Sequence, residues 1–128
     1  MATQDISGDA VGSADEETTV LFVDDEPDLL EVYELLCESE YNVLTAEGGE
    51  EALEAFGEHI DFAFFDRRMP GMTGDEAIEA LREQGYETPV GIISAVDPEA
   101  ESSGAYTSYL TKPIDADQIQ DTVSKHTS

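Results

Sequence analysis

The stretch IDFAFFDRRMPGMTG, residues 60–74, decides how the rest of the chain is read. Its segment FAFF is apolar at every position, so a strand here has no face to give to water. Antiparallel sheets commonly keep one wet face, whereas parallel sheets covered by helices bury both. The run stops at Asp66, a carboxylate that needs partners at the end of a buried strand. Two arginines follow it, out of only 5 Lys and Arg in the whole chain, and a Pro/Gly loop comes next.

Outward from this stretch, apolar runs alternate with amphipathic segments. VLFV (20–23) predicts a first buried strand. EPDLLEVYELLCES predicts a helix with Pro27 in its first turn and Leu29, Leu30, Tyr33, Leu36 and Cys37 on one apolar face. YNVLTA predicts a second strand, and GGEEALEAF a second helix with Ala52, Ala55 and Phe56 inward. Past the Pro/Gly loop, a helix is expected from about Gly74 to Gln84, with Thr73 and Glu76 as a capping box and Ala77, Ile78 and Leu81 toward the core. PVGIIS and SYLT predict strands four and five, and Ile119 and Val123 mark the buried stripe of a closing helix. Between those strands DPEAESSGAYT has few apolar anchors, so any helix over 97–105 would be short. Strands alternating with helices pair in parallel, and right-handed crossovers restrict the topology further. The expected fold is α/β: a doubly wound five-stranded parallel sheet with helices on both faces.

The bulk properties suit one domain: 128 residues, 40% of them hydrophobic. No apolar run is long enough for a membrane-spanning helix. The N-terminus MATQDISGDAVGSADEE is neither basic nor apolar, so no signal peptide is expected; residues 1–17 are expected to form a disordered acidic tail. A single cysteine, Cys37, makes no intramolecular disulfide and suits a reducing cytoplasm. With 31 acids the formal net charge is −26, which disfavours nucleic acid and anionic membrane as direct partners. In roughly 1 M salt the screening length falls to about 3 Å and most of the self-repulsion disappears. Acids spread along the whole chain therefore point to the solvated surface of a salt-loving organism.

In a doubly wound sheet the ligand site lies outside the carboxyl ends of the strands. Strand one ends at Asp24-Asp25, strand three at Asp66 and strand four at Ser94, and strand five is followed by Lys112-Pro113. Three converging carboxylates repel unless a cation sits among them, and an all-oxygen donor set suggests Mg2+. His59 and His126 fall at no strand end and are expected to be exposed bystanders. A metal, a lysine and a hydroxyl around one carboxylate are what phosphoryl transfer to that carboxylate requires. Asp66 would be the nucleophile, Lys112 would bind phosphoryl oxygens, and Ser94 would donate a hydrogen bond to one. Taken singly, Asp-Asp is a helix cap and Lys-Pro a turn. Their joint occurrence, each at the right strand end, carries the functional reading.

VLFVDDEPDLLEVYELL, FFDRRMPGMTG, IISAVD and SYLTKPI together closely resemble the receiver domain of two-component response regulators, over roughly residues 18–126. DRRMPGMTG in particular is similar to receivers of halophilic archaea, many of which carry a HalX segment. The resemblance implies a flavodoxin-like strand order 2-1-3-4-5 and Asp66 as phospho-acceptor. It implies that Asp25 binds Mg2+ directly, that Asp24 acts largely through water, and that the Arg68 backbone carbonyl is a third protein ligand. Ser94 and Tyr109 match the switch pair, Ala95 a small residue that leaves the phosphoryl group room, and Lys112-Pro113 a pair usually joined by a cis bond. The implied partners are a sensor histidine kinase and an unknown downstream protein, met through the surface around segment 97–105, strand five and the closing helix. The implied state is a monomer or a phosphorylation-dependent dimer, and the implied chemistry stops at self-phosphorylation and slow self-dephosphorylation.

Two other readings compete. A receiver-like scaffold that is never phosphorylated is opposed by the intact Asp24, Asp25, Asp66, Ser94 and Lys112. An aspartate-nucleophile phosphohydrolase would be expected to carry its nucleophile on strand one in a D-x-D spacing, where this chain has adjacent aspartates. The chain stops soon after its closing helix, so a stand-alone receiver, or one cut from a longer protein, is expected. The interval between Ser94 and Lys112 is about a turn shorter than in the usual bacterial receiver. For the two arginines, Arg68 is expected over the phosphoryl pocket, tuning the lifetime of the phosphoryl group, and Arg67 offsetting the local anionic field or meeting the kinase. The alternative is that both are solvated cations paired with neighbouring acids.

Overall fold

The computed structural model describes residues 18–95 and 106–127. The tail expected at 1–17 and the short helix expected at 97–105 lie outside the described residues. The elements run β1 (Thr19–Val23), α1 (Pro27–Cys37), β2 (Asn42–Ala46), α2 (Gly49–Ala55), β3 (Phe62–Asp66), α3 (Gly74–Glu83), β4 (Val90–Ser94), β5 (Ser108–Thr111) and α4 (Ala116–Thr127). The strands form one sheet in the order β2-β1-β3-β4-β5, every neighbouring pair parallel. The doubly wound expectation holds, with β3 at the centre and all five of its residues buried.

Alternation along the strands sorts the core into two layers. Val20 and Phe22 of β1, Phe62 and Phe64 of β3, and Ile93 of β4 pack with Leu30, Tyr33 and Cys37 of α1 and Ile119 and Val123 of α4. Leu21, Val23, Ala63, Phe65, Val90 and Ile92 face the other way, onto Ala52 of α2 and Ala77, Ile78 and Leu81 of α3. In the first layer the Phe22 ring stacks on Tyr33 at 5.0 Å and on Phe64 at 5.3 Å. Gly91 keeps room for these rings, since a Cβ there would come within 3.1 Å of Phe64. Cys37 is a packing residue in this layer; burial pushes its thiol up to about 11, so it stays protonated.

Three side chains depart from the expected pattern. Leu36 is exposed, because α1 meets the sheet along the narrower stripe Leu30, Tyr33, Cys37. Ala55 is exposed as well; α2 is short, and Leu53 packs against the core in its place. His126 is half-buried rather than a bystander: its Nε2 lies 3.1 Å from the Ser108 hydroxyl and its ring 5.9 Å from that of Phe62. His59 is exposed as expected.

The capping box at α3 is complete: the Thr73 hydroxyl accepts the Glu76 N–H at 3.1 Å, and Glu76 Oε1 accepts the Thr73 N–H at 3.0 Å. One residue on, the helix presses against the end of β3. A Cβ on Gly74 would sit 2.5 Å from the Asp66 carbonyl oxygen, and the Gly74 N–H donates to the Arg67 carbonyl at 2.9 Å. Backbone against backbone leaves nothing flexible to give way. Gly74→Ala should therefore cost about 2 kcal/mol, in the range of overpacking, whereas Thr73→Ala should cost about 1 kcal/mol through the lost cap. Urea unfolding in high salt checks both; a Gly74→Ala protein as stable as wild type would mean that this contact is loose.

Candidate functional site

The strand register brings the expected residues together. Val23 is paired with Phe65, so the next residues along, Asp24 and Asp66, leave adjacent strands side by side. On the other flank Ser94 is paired with Thr111, and the Lys112 N–H donates to the Ser94 carbonyl at 2.7 Å. Carboxylate oxygens of Asp24, Asp25 and Asp66 all lie within 4.8 Å of one another. Lys112 Nζ stands 2.9 Å from Asp66 Oδ1 and 3.6 Å from Asp24 Oδ2. The Lys112-Pro113 bond is cis. Asp66, Arg68, Ser94, Ala95 and Lys112 line a cavity of about 170 Å³.

Burial governs the electrostatics. Asp24 is 1% exposed and Asp66 8%, while Asp25 faces solvent. Burial pushes the Asp24 carboxyl above the usual range; the Glu26 N–H, which donates to Oδ1 at 2.9 Å, pulls it down, and the Asp66 charge pushes it up again. Asp66 is likewise raised by burial, then lowered by its hydrogen bond and charge contact with Lys112, then raised by the charges of Asp25 and Glu26. Burial alone would lower Lys112, but its hydrogen bond to Asp66 and the charges of Asp66 and Asp24 outweigh it, and the net shift is upward. One ammonium thus serves two buried carboxylates and does not satisfy both. Among the described residues Asp24 Oδ2 is buried without a hydrogen-bond partner. An orphaned carboxylate oxygen in an all-oxygen cluster fits a hard divalent cation such as Mg2+.

The two arginines separate. Arg68 is exposed and lines the cavity, where it was expected. Arg67 is 17% exposed and belongs to a network of its own: Nε donates to Asp75 Oδ2 at 3.0 Å, and Nη1 donates to the Tyr109 hydroxyl at 3.2 Å. A freely solvated Arg67 is therefore ruled out, although its pairing with a neighbouring acid was foreseen. Asp75 and Glu26 escaped notice in the sequence. Asp75 reads there only as a first-turn acid of a helix, and Glu26 as a third acid after Asp24-Asp25.

A family model described as the response regulator receiver domain matches residues 20–124. A Haloferax volcanii protein described as a transcriptional regulator is 37% identical over 111 residues, 85% of this chain and 19% of its own length. The sensor histidine kinase GacS of Pseudomonas protegens is 35% identical over 119 residues, 84% of this chain and 13% of its own. The chain thus spans less than a quarter of either relative. Among solved structures, the response regulator protein TrrA from Thermotoga maritima in complex with Mg(2+)-BeF is 33% identical with a TM-score of 0.76, covering 84% of this chain and 97% of that one.

The crowding makes a stability prediction for the metal-free protein. Asp24→Asn keeps an acceptor for the Glu26 N–H and removes a buried charge, so it should stabilise by on the order of 1 kcal/mol at neutral pH. The sign with pH is set by the raised carboxyl. The folded state holds this proton more tightly than the unfolded one, so wild-type stability from Asp24 falls as pH rises from the unfolded value through the folded one. The advantage of the variant should shrink as pH falls from neutral and vanish toward pH ~4, near the unfolded value of an aspartate. Urea unfolding with a chelator measures it; a destabilised variant at neutral pH would contradict the reading of the site as strained.

Proposed function

The chain belongs to the response regulator receiver domain family, and from that membership we propose that Asp66 accepts a phosphoryl group from a sensor histidine kinase. It is a receiver domain of two-component response regulators; the residue roles and partners that follow are our reading. The observation that carries it is Lys112 Nζ at 2.9 Å from Asp66 Oδ1, within a cluster of carboxylates whose oxygens lie within 4.8 Å. In the transfer, an Asp66 oxygen forms a bond to phosphorus as the bond from phosphorus to the kinase imidazole breaks. The departing imidazole takes up a proton. Lys112, held charged by its two aspartates, neutralises phosphoryl oxygens as charge spreads over them. Ser94 donates a hydrogen bond to one oxygen, and Ala95, with nothing beyond Cβ, leaves the cavity open. Asp25, Asp66, the Arg68 carbonyl and, through water, Asp24 would hold Mg2+, which when bound supplies the positive charge that lets an anionic carboxylate meet an anionic phosphoryl group.

The added charge favours an arrangement in which the Ser94 hydroxyl moves toward the phosphoryl group and Tyr109 follows, and a downstream protein reads the altered surface. The receiver unit occupies residues 18–126 and works in the cytoplasm as a signalling part rather than a turnover enzyme. The dispersed charge of −26 and the likeness to a Haloferax volcanii protein support a salt-loving host, and DRRMPGMTG supports the HalX-associated type. No helix among the described residues is long and apolar enough to cross a membrane.

Incubation with Mg2+ and a small phosphodonor in high salt, followed by mass spectrometry, should give one slowly decaying phosphoryl group per chain. Asp66→Asn should take up none. Lys112→Ala should slow uptake by roughly a hundredfold, as for loss of a charge-stabilising group. Label on another residue, or repeated turnover of the donor, would contradict the proposal. Arg68→Ala should change the decay rate, and an unchanged rate would dispose of the tuning role.

A further inference from the structure

Arg67 follows the acceptor directly, yet it is not among the residues lining the cavity. Its backbone is fixed on both sides, the N–H donating to the Ile93 carbonyl at 3.1 Å and the carbonyl accepting from Gly74 at 2.9 Å. From this anchored position the side chain spans β4, reaching from the end of β3 to Tyr109 on β5, a residue paired with Ile92. Asp75 holds Nε at 3.0 Å and so sets the plane of the guanidinium. Nη1 is then aimed at the Tyr109 hydroxyl, and Cζ stands 5.7 Å from the centre of the Tyr109 ring. The ring is half-buried against the α2/α3 core layer and 5.7 Å from that of Tyr106.

A guanidinium offers donors in a rigid planar fork, so one hydrogen bond orients the next. A half-buried tyrosine hydroxyl is held by its hydrogen bonds, and giving this one up has a cost. The residue carrying the fork shares a peptide bond with the acceptor. Any shift of the Tyr109 ring must therefore break the bond to Arg67 or drag the acceptor strand with it.

We propose that Arg67 is a latch: its Asp75-oriented fork holds the Tyr109 hydroxyl in the unphosphorylated arrangement, and the phosphorylated arrangement is reached only when that bond gives way. The inference rests on the receiver reading and adds a positioning residue to it. A latch of this kind biases a two-state equilibrium, so its removal raises the population competent to bind a phosphoryl mimic and tightens apparent affinity by the same factor.

Beryllium fluoride with saturating Mg2+, titrated in high salt and followed by NMR of ring-labelled tyrosine, reads this out. Arg67→Gln and Tyr109→Phe should each tighten apparent affinity by about five- to tenfold, as expected for the net contribution of one hydrogen bond. The double variant should be no tighter than the tighter single one, because both remove the same bond. Arg67→Lys, which keeps the charge and loses the fork, should behave as Arg67→Gln. Affinity for Mg2+ alone, measured in the same salt, should not change, which a general loosening of the fold would not spare. Binding by wild type with unchanged or weaker binding by Arg67→Gln, or additive effects of the two substitutions, overturns the latch and leaves the receiver reading standing. A wild type that binds no beryllium fluoride overturns the receiver reading, and the latch falls with it.

Discussion

Three carboxylates and one ammonium, gathered where parallel strands end, are the constraint on which the rest of the molecule depends. The oxygens of Asp24, Asp25 and Asp66 lie within 4.8 Å of one another, and Lys112 reaches only one of them at hydrogen-bond distance. Such a cluster opposes folding, so the surrounding structure must force it into place. The sheet does so by register: the pairing of Val23 with Phe65 puts Asp24 beside Asp66, and the pairing of Ser94 with Thr111 delivers Lys112. The two apolar layers that fix the register are thus what hold the charges together. Burial raises the gain from a cation there, since carboxylates largely withdrawn from water repel one another strongly.

The loop after Asp66 is held with similar care. Gly74 brings the first turn of α3 against the Asp66 carbonyl, and Arg67 is hydrogen-bonded through its backbone to β4 on one side and to Gly74 on the other. Asp66 therefore sits between a buried strand and a capped helix, with little freedom of its own. Ser94 and Tyr109 lie on the other side, on β4 and β5. The Arg67 side chain reaches across to that side. A switch needs both parts: a fixed place where charge is added, and an element with two arrangements that the charge can bias.

Much of this was legible in residue order. FAFF announced a strand buried on both faces, and that one feature led to the parallel sheet, its helical covers and the active edge. Strand-end positions then singled out Asp24, Asp25, Asp66, Ser94 and Lys112 without knowledge of any contact. Misjudged side chains came from helix faces: Leu36 and Ala55 continue an apolar stripe that the actual packing leaves to solvent. His126 was misjudged because its partners, Ser108 and Phe62, come from other elements. The Arg67, Asp75 and Tyr109 network was hidden for the same reason. A hydrogen bond across an intervening strand leaves no periodic mark in the chain, whereas capping boxes and buried strands are local.

The central claim is that a divalent cation relieves the crowding of these carboxylates in particular, not the general charge of an acidic surface. Thermal unfolding in molar KCl, with and without millimolar Mg2+, separates the two, because bulk salt already screens the surface. Wild type should gain stability saturably, by about 2.7 kcal/mol when Mg2+ reaches a hundred times its dissociation constant, while a variant carrying both Asp24→Ala and Asp25→Ala should gain nothing. An equal gain in both proteins would show that the ion acts on the surface as a whole, and the account of the site would be wrong.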